Sequence, residues 1–123
     1  MSGAEPDWRP AGRLTDFRDG AVAGARFPMD ATSELALAIA RRGDAVWAFA
    51  DRCPHRGAPF SQLGIIDDEG HLLCQWHAWA FRLDDGRHTL LPFVCVPTYP
   101  VRIDAGVVLV DVNGARRGAE EAS

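Results

Sequence analysis

Residues Glu34–Ala50 read E-L-A-L-A-I-A-R-R-G-D-A-V-W-A-F-A. Leu35, Leu37 and Ile39 alternate with alanines, a period of two, which marks a half-buried strand. Gly43-Asp44 supplies residues suited to a tight turn, and Ala45–Ala50 resumes an extended apolar pattern. The stretch therefore predicts a β-hairpin. Working outward, Gly64–Ile66 and His71–Leu73 read as short strands around the turn Asp67-Asp68-Glu69-Gly70. Ala80–Leu83 leads into a turn at Asp85-Gly86, and Tyr99–Asp104 and Val107–Val112 flank Ala105-Gly106 as a further hairpin. No segment keeps a helical period over three turns. Short strands punctuated this often predict an all-β fold, an antiparallel sandwich or barrel.

At 123 residues there is room for one domain. Hydrophobic content of 47% and charged content of 24% fit an ordinary globular chain. A formal net charge of −4 argues against nucleic acid as a partner, which would call for a basic face, and against an anionic membrane surface. No apolar run approaches the roughly 20 residues of a spanning helix. Met1–Pro10 is polar and carries Glu5 and Asp7, unlike a secretory signal. The expectation is a cytoplasmic protein whose cysteines stay reduced and can serve as ligands. Residues 1–8 and 113–123 read as flexible tails around a domain at 9–112.

The chemistry-bearing residues sit in two short loops. The first is Cys53-Pro54-His55-Arg56-Gly57-Ala58-Pro59 and the second is Cys74-Gln75-Trp76-His77-Ala78-Trp79. The pattern is C-x-H, eighteen residues, then C-x-x-H. The segment between the loops contains its own hairpin, so the chain can leave the first loop and return beside it at little closure cost. A [2Fe–2S] centre of mixed ligation needs two cysteines on one iron and two histidines on the other, and one of each per loop supplies that. Gly57 and the prolines suit a tight backbone able to aim N–H groups at sulfur. The same four side chains could hold a tetrahedral zinc, although a one-residue Cys–His spacing is unusual for zinc, or could be unconnected core residues. His71 and His88 read as exposed loop or strand-end residues, and Cys95, in Phe93-Val94-Cys95-Val96, as a buried free thiol.

C-P-H-R-G-A-P and C-Q-W-H-A-W, followed by a D-G turn and a late Y-P-V-R-I strand, resemble the Rieske ferredoxin family from about Trp8 to Val112. The resemblance implies a Rieske-like antiparallel β-sandwich with a small cluster-binding subdomain at about 51–98. It implies one [2Fe–2S] cluster held by Cys53, His55, Cys74 and His77. It also places Arg56, Gly57, Trp76, Trp79, Phe81 and Pro92 around the cluster or at a docking face, the alternatives being a merely solvated charge for Arg56 and ordinary core aromatics for Trp76 and Trp79. Two departures stand out. The spacer between the loops is slightly longer than in the family pattern, with the excess at the Asp67–Gly70 turn, and Ala78 stands where many relatives have Gly. Relatives in respiratory complexes carry a disulfide between the loops; Ala58 and Trp76 occupy those places here. Those relatives also set Ser and Tyr hydroxyls beside the cluster sulfurs, where this chain has Trp79 and Phe81. Without these donors the potential is expected toward the lower end of the Rieske range, roughly −150 to 0 mV.

Rieske oxygenases add a second domain with a mononuclear iron held by two His and a carboxylate, and His71 and His88 alone remain here for such a site. The chain is therefore not expected to be a catalyst by itself. The expected role is an electron carrier between a flavin-dependent NAD(P)H reductase and a Rieske non-haem iron oxygenase. The alternatives are the small subunit of an assimilatory nitrite reductase, or a redox- or metal-sensing module in which Cys95 is the reactive thiol.

Overall fold

The structure, a computed structural model, describes residues 5–54, 57–76, 78–91 and 93–117; His55, Arg56, His77 and Pro92 lie outside the described residues. Among the described residues ten strands form three antiparallel sheets. The central sheet contains β2 (Val22–Pro28), β3 (Glu34–Arg42), β4 (Ala45–Ala50) and β8 (Thr98–Tyr99), in that order. A second sheet places β10 (Val107–Asp111) between β1 (Trp8–Arg13) and β9 (Val101–Asp104). The third and smallest runs β5 (Gly64–Ile66), β6 (His71–Cys74), β7 (Trp79–Arg82) and is preceded by one helical turn, α1 (Phe60–Leu63). No helix among the described residues is long and apolar enough to cross a membrane. The all-β fold and the hairpins stand as expected, with β7 beginning one residue earlier and β3 running on to Arg42, but the expected strand Tyr99–Asp104 divides at Pro100 into β8 and β9, which join different sheets.

β3 differs from its reading in one respect. It is buried on both faces: Leu37, Ala38, Ile39 and Ala40 are all fully inaccessible. The pleat sends Leu37 and Ile39 into a core with Val108 and Val110, and Ala38 and Ala40 into a second core with Cys53, Phe60, Cys74 and Phe81. The alanines are small because α1 and the third sheet approach that face closely, not because the face meets water. β2 pairs with β3 so that Gly24 lies opposite Ala38, and a Cβ at Gly24 would come 3.0 Å from Ser61 Cβ. Glycine there lets α1 lie against the central sheet.

Strands β1 and β2 are not marked in the sequence. W-R-P-A-G-R and V-A-G-A-R-F-P carry Pro and Gly, which argue against a central strand, but both are edge strands, where Pro is tolerated. Backbone pairing also reaches into both segments read as tails. Trp8 opens β1 opposite Asp111, the Asp111 carboxylate accepts the Asp7 and Asn113 N–H groups at 2.9 and 3.0 Å, and Arg116 pairs with Thr98.

Candidate functional site

The first loop leaves β4 and is pinned at both ends. The Asp51 carboxylate accepts the Ser61 N–H at 2.7 Å and the Ser61 hydroxyl at 2.6 Å, tying the chain two residues ahead of Cys53 to the first turn of α1. Inside that bracket the Cys53 N–H donates to Ala58 O at 2.8 Å and the Gly57 N–H donates to Cys53 O at 2.7 Å. Such a doubled-back loop needs a left-handed residue, and Gly57, at φ +73°, provides it. Cys53 and Ala58 are buried as a result.

The second loop joins β6 to β7. Cys74, the last residue of β6, pairs with Trp79, the first of β7. The Gln75 N–H donates to Leu63 O at 2.9 Å, so this loop is tied to the end of α1, which the first loop leads into. Cys74 Sγ lies 3.6 Å from Trp76 O. Ala78 adopts φ +57°, a left-handed conformation that explains why glycine suits this place.

The two cysteines are drawn into one apolar core with Phe60, Leu72 and Phe81, against which Trp79 and Val94 pack. Neither is in a disulfide. Two buried thiols in one core, without a disulfide, are a suitable donor pair for a thiolate-ligated iron. His55 and His77 belong to the same two loops by sequence, two and three residues after the cysteines, but lie outside the described residues together with Arg56 and Pro92. Among the described residues no three metal-ligating side chains gather. Trp76 is 47% exposed, whereas Trp79 is half-buried against Phe81 and His88. Phe81 is fully buried, its ring edge-on to Phe60 at 5.8 Å.

The sequence from residue 7 to residue 100 matches the family model of the Rieske [2Fe-2S] domain. The chain belongs to the Rieske family. A Rieske domain binds a [2Fe–2S] cluster, and the paired buried cysteines fit it. Among curated relatives, this Rieske chain is similar to the 3-phenylpropionate/cinnamic acid dioxygenase ferredoxin subunit of Escherichia coli O139:H28, 32% identical over 81 residues, 65% of this chain and 76% of that one. It is 36% identical over 90 residues to pheophorbide a oxygenase of Arabidopsis thaliana; the match takes in 59% of this chain but 17% of that protein's length. A solved structure, assigned provisionally as an NADH-dependent nitrite reductase small subunit of Mycobacterium tuberculosis, superposes with TM-score 0.76 at 29% identity, over 92% of this chain and 97% of that one.

Two residues, His88 and Cys95, depart from their sequence reading, while His71 keeps its place at a strand end. His88 is buried at 8% exposure, not at the surface, because the chain after β7 folds its ring onto Trp79 and Phe81. Its pKa is pushed down by burial. His71 is half-buried at the start of β6, where its N–H donates to Asp67 at 2.8 Å. Cys95 is half-exposed rather than buried, since Val96, the next residue, takes the inward position. Asp51 and Ser61 were not singled out in the sequence. Their pairing spans ten positions and carries no motif, so only the folded loop reveals it.

Proposed function

We propose that this Rieske chain is a ferredoxin that carries single electrons, with Cys53, His55, Cys74 and His77 as the cluster ligands. The observation that carries this reading is the meeting of Cys53 and Cys74 in one buried core, each at the head of a loop whose sequence supplies a histidine. The cysteine thiolates would hold one iron and the imidazoles the other. Bound there, the cluster supplies a one-electron couple and no group transfer. The chain's own part is to bury the thiolates, hold both loops by the Asp51–Ser61 bracket and the Gln75–Leu63 bond, and keep bulk water off the sulfur side. Arg56, Gly57, Trp76, Trp79, Phe81 and Pro92 would surround the cluster, in a domain spanning 9–112 with its cluster-binding part at 51–98. Trp76 offers exposed apolar surface beside a proposed ligand, suited to cover by a redox partner.

The donor would be a flavin-dependent NAD(P)H reductase and the acceptor a Rieske non-haem iron oxygenase. The likeness to a dioxygenase ferredoxin subunit over most of that subunit's length supports an oxygenase as the acceptor. The near-complete superposition on the mycobacterial structure favours, as a second reading, service in a nitrite reductase.

The purified protein is expected to hold about two iron and two acid-labile sulfide per chain. Cys53→Ser and Cys74→Ser should each abolish the chromophore and lower stability, because metal binding is linked to folding. Stoichiometric zinc without sulfide would overturn the ligand assignment. Stopped-flow mixing with reduced reductase and then with oxygenase tests the role. Cluster reduction and reoxidation no faster than in buffer would exclude the shuttle.

A further inference from the structure

His88 takes no part in the proposed ligand set, yet it is the one buried histidine among the described residues. Its Nδ1 accepts two backbone hydrogen bonds, from the Leu90 and Leu91 N–H groups, both at 3.0 Å. An imidazole nitrogen that accepts carries no proton, so the ring is neutral with its hydrogen on Nε2. The ring stands edge-on to Trp79 at 4.7 Å and to Phe81 at 5.4 Å. Trp79 is the pairing partner of Cys74, and Phe81 shares the core of both cysteines. His88 N–H donates to Val94 O, and Val94 N–H to Leu91 O, each at 2.8 Å, so His88 and Leu91 are both tied to Val94. Leu90 is 82% and Phe93 74% exposed, so burial of these side chains does not hold their backbone in place.

We propose that His88 is a positioning residue whose Nδ1 clasps the Leu90 and Leu91 amides and thereby holds the turn at 88–91 against Trp79, beside the cluster site. The proposal rests on the reading that the two loops carry the cluster. The clasp works through the backbone, and the ring's packing on Trp79 transmits the loop's position to the strand that bears Cys74. With the clasp open, solvent and small chelators gain a path along Trp79 toward the sulfur side.

Side-chain geometry gives a sharp test. An Asn carbonyl at this position stands where Nδ1 does and accepts from the second and third following N–H groups, as in an Asx turn. A Gln amide reaches instead toward the Nε2 position, and Leu offers no acceptor. Amide hydrogen exchange should show the Leu90 and Leu91 amides at least tenfold faster in His88→Gln and His88→Leu, with His88→Asn within about twofold of wild type. The fully buried Leu37 amide in β3 serves as the internal reference and should not change. Bleaching of the visible absorbance by a ferrous chelator, bathophenanthroline disulfonate, should be several-fold faster in the Gln and Leu variants and restored in Asn. Equal acceleration at Leu37, or Asn as labile as Gln, overturns the clasp. Unchanged bleaching in Gln overturns its bearing on the cluster site. Exchange that follows this pattern in a protein lacking iron and sulfide would uphold the clasp while refuting the ligand reading, so the two failures are distinct.

Discussion

At the scale of single residues, the proposed cluster site sets aromatic rings where a hydroxyl could donate to sulfur. Phe81 is fully buried in the core that holds Cys53 and Cys74, and its ring carries no hydroxyl to offer to sulfur. A hydrogen bond to a cluster sulfur stabilises the reduced, more negative state and raises the potential. A bond to a charged group contributes about 1.5–3 kcal/mol, and only its difference between redox states shifts the midpoint. One kcal/mol of that difference corresponds to about 43 mV for a one-electron couple. Phe81→Tyr is therefore expected to raise the midpoint by tens of millivolts with the cluster spectrum retained, as measured by protein-film voltammetry. An unchanged midpoint would mean that the new hydroxyl does not reach sulfur. Ala78 shows a second residue-scale constraint. A left-handed alanine costs about 1–2 kcal/mol, and the closure of Cys74 onto Trp79 holds it there.

At the scale of the element, β3 serves two cores. Its leucine and isoleucine fill one, and its alanines leave room for the other. The two faces should respond to opposite changes. Leu37→Ala empties the first core and should cost about 2–5 kcal/mol. Ala38→Leu overfills the second, where Gly24 and Phe49 flank Ala38, and should cost about 1–3 kcal/mol. The two variants should differ most at the cluster: visible circular dichroism should change in Ala38→Leu and stay as in wild type in Leu37→Ala. Denaturant titration alongside the spectra checks both. A spectrum undisturbed by Ala38→Leu would show that α1 and the third sheet can shift to absorb the added volume.

For the whole molecule, His88 links protonation to stability. Burial lowers its folded pKa below the ordinary 6.5. Above pH 6.5 the ring is neutral in both states and the stability is complete. As pH falls from 6.5 toward the folded value, the unfolded chain takes up a proton that the folded chain refuses, and stability declines. Urea midpoints should therefore fall below pH 6.5 more steeply in wild type than in His88→Asn, whose side chain does not titrate. Parallel curves for the two proteins would remove His88 from the acid response.

The sequence by itself determined the hairpins, the all-β class and the two loops in which cysteine and histidine recur at ligand spacing. These follow from local rules: a period of two, turn residues at Gly43-Asp44 and Ala105-Gly106, and donor atoms a few positions apart. Tertiary structure decided what depends on contacts across the chain. The alternation in β3 names two faces but cannot say that water meets neither, because burial is set by α1 and a sheet formed later in the chain. β1 and β2 were hidden by Pro and Gly, residues whose disfavour depends on being central in a sheet rather than at its edge. The Asp51–Ser61 bracket and the His88 clasp have no sequence signature, since a hydrogen bond is specified by where the folded backbone places its donors, and that placement belongs to the assembled fold.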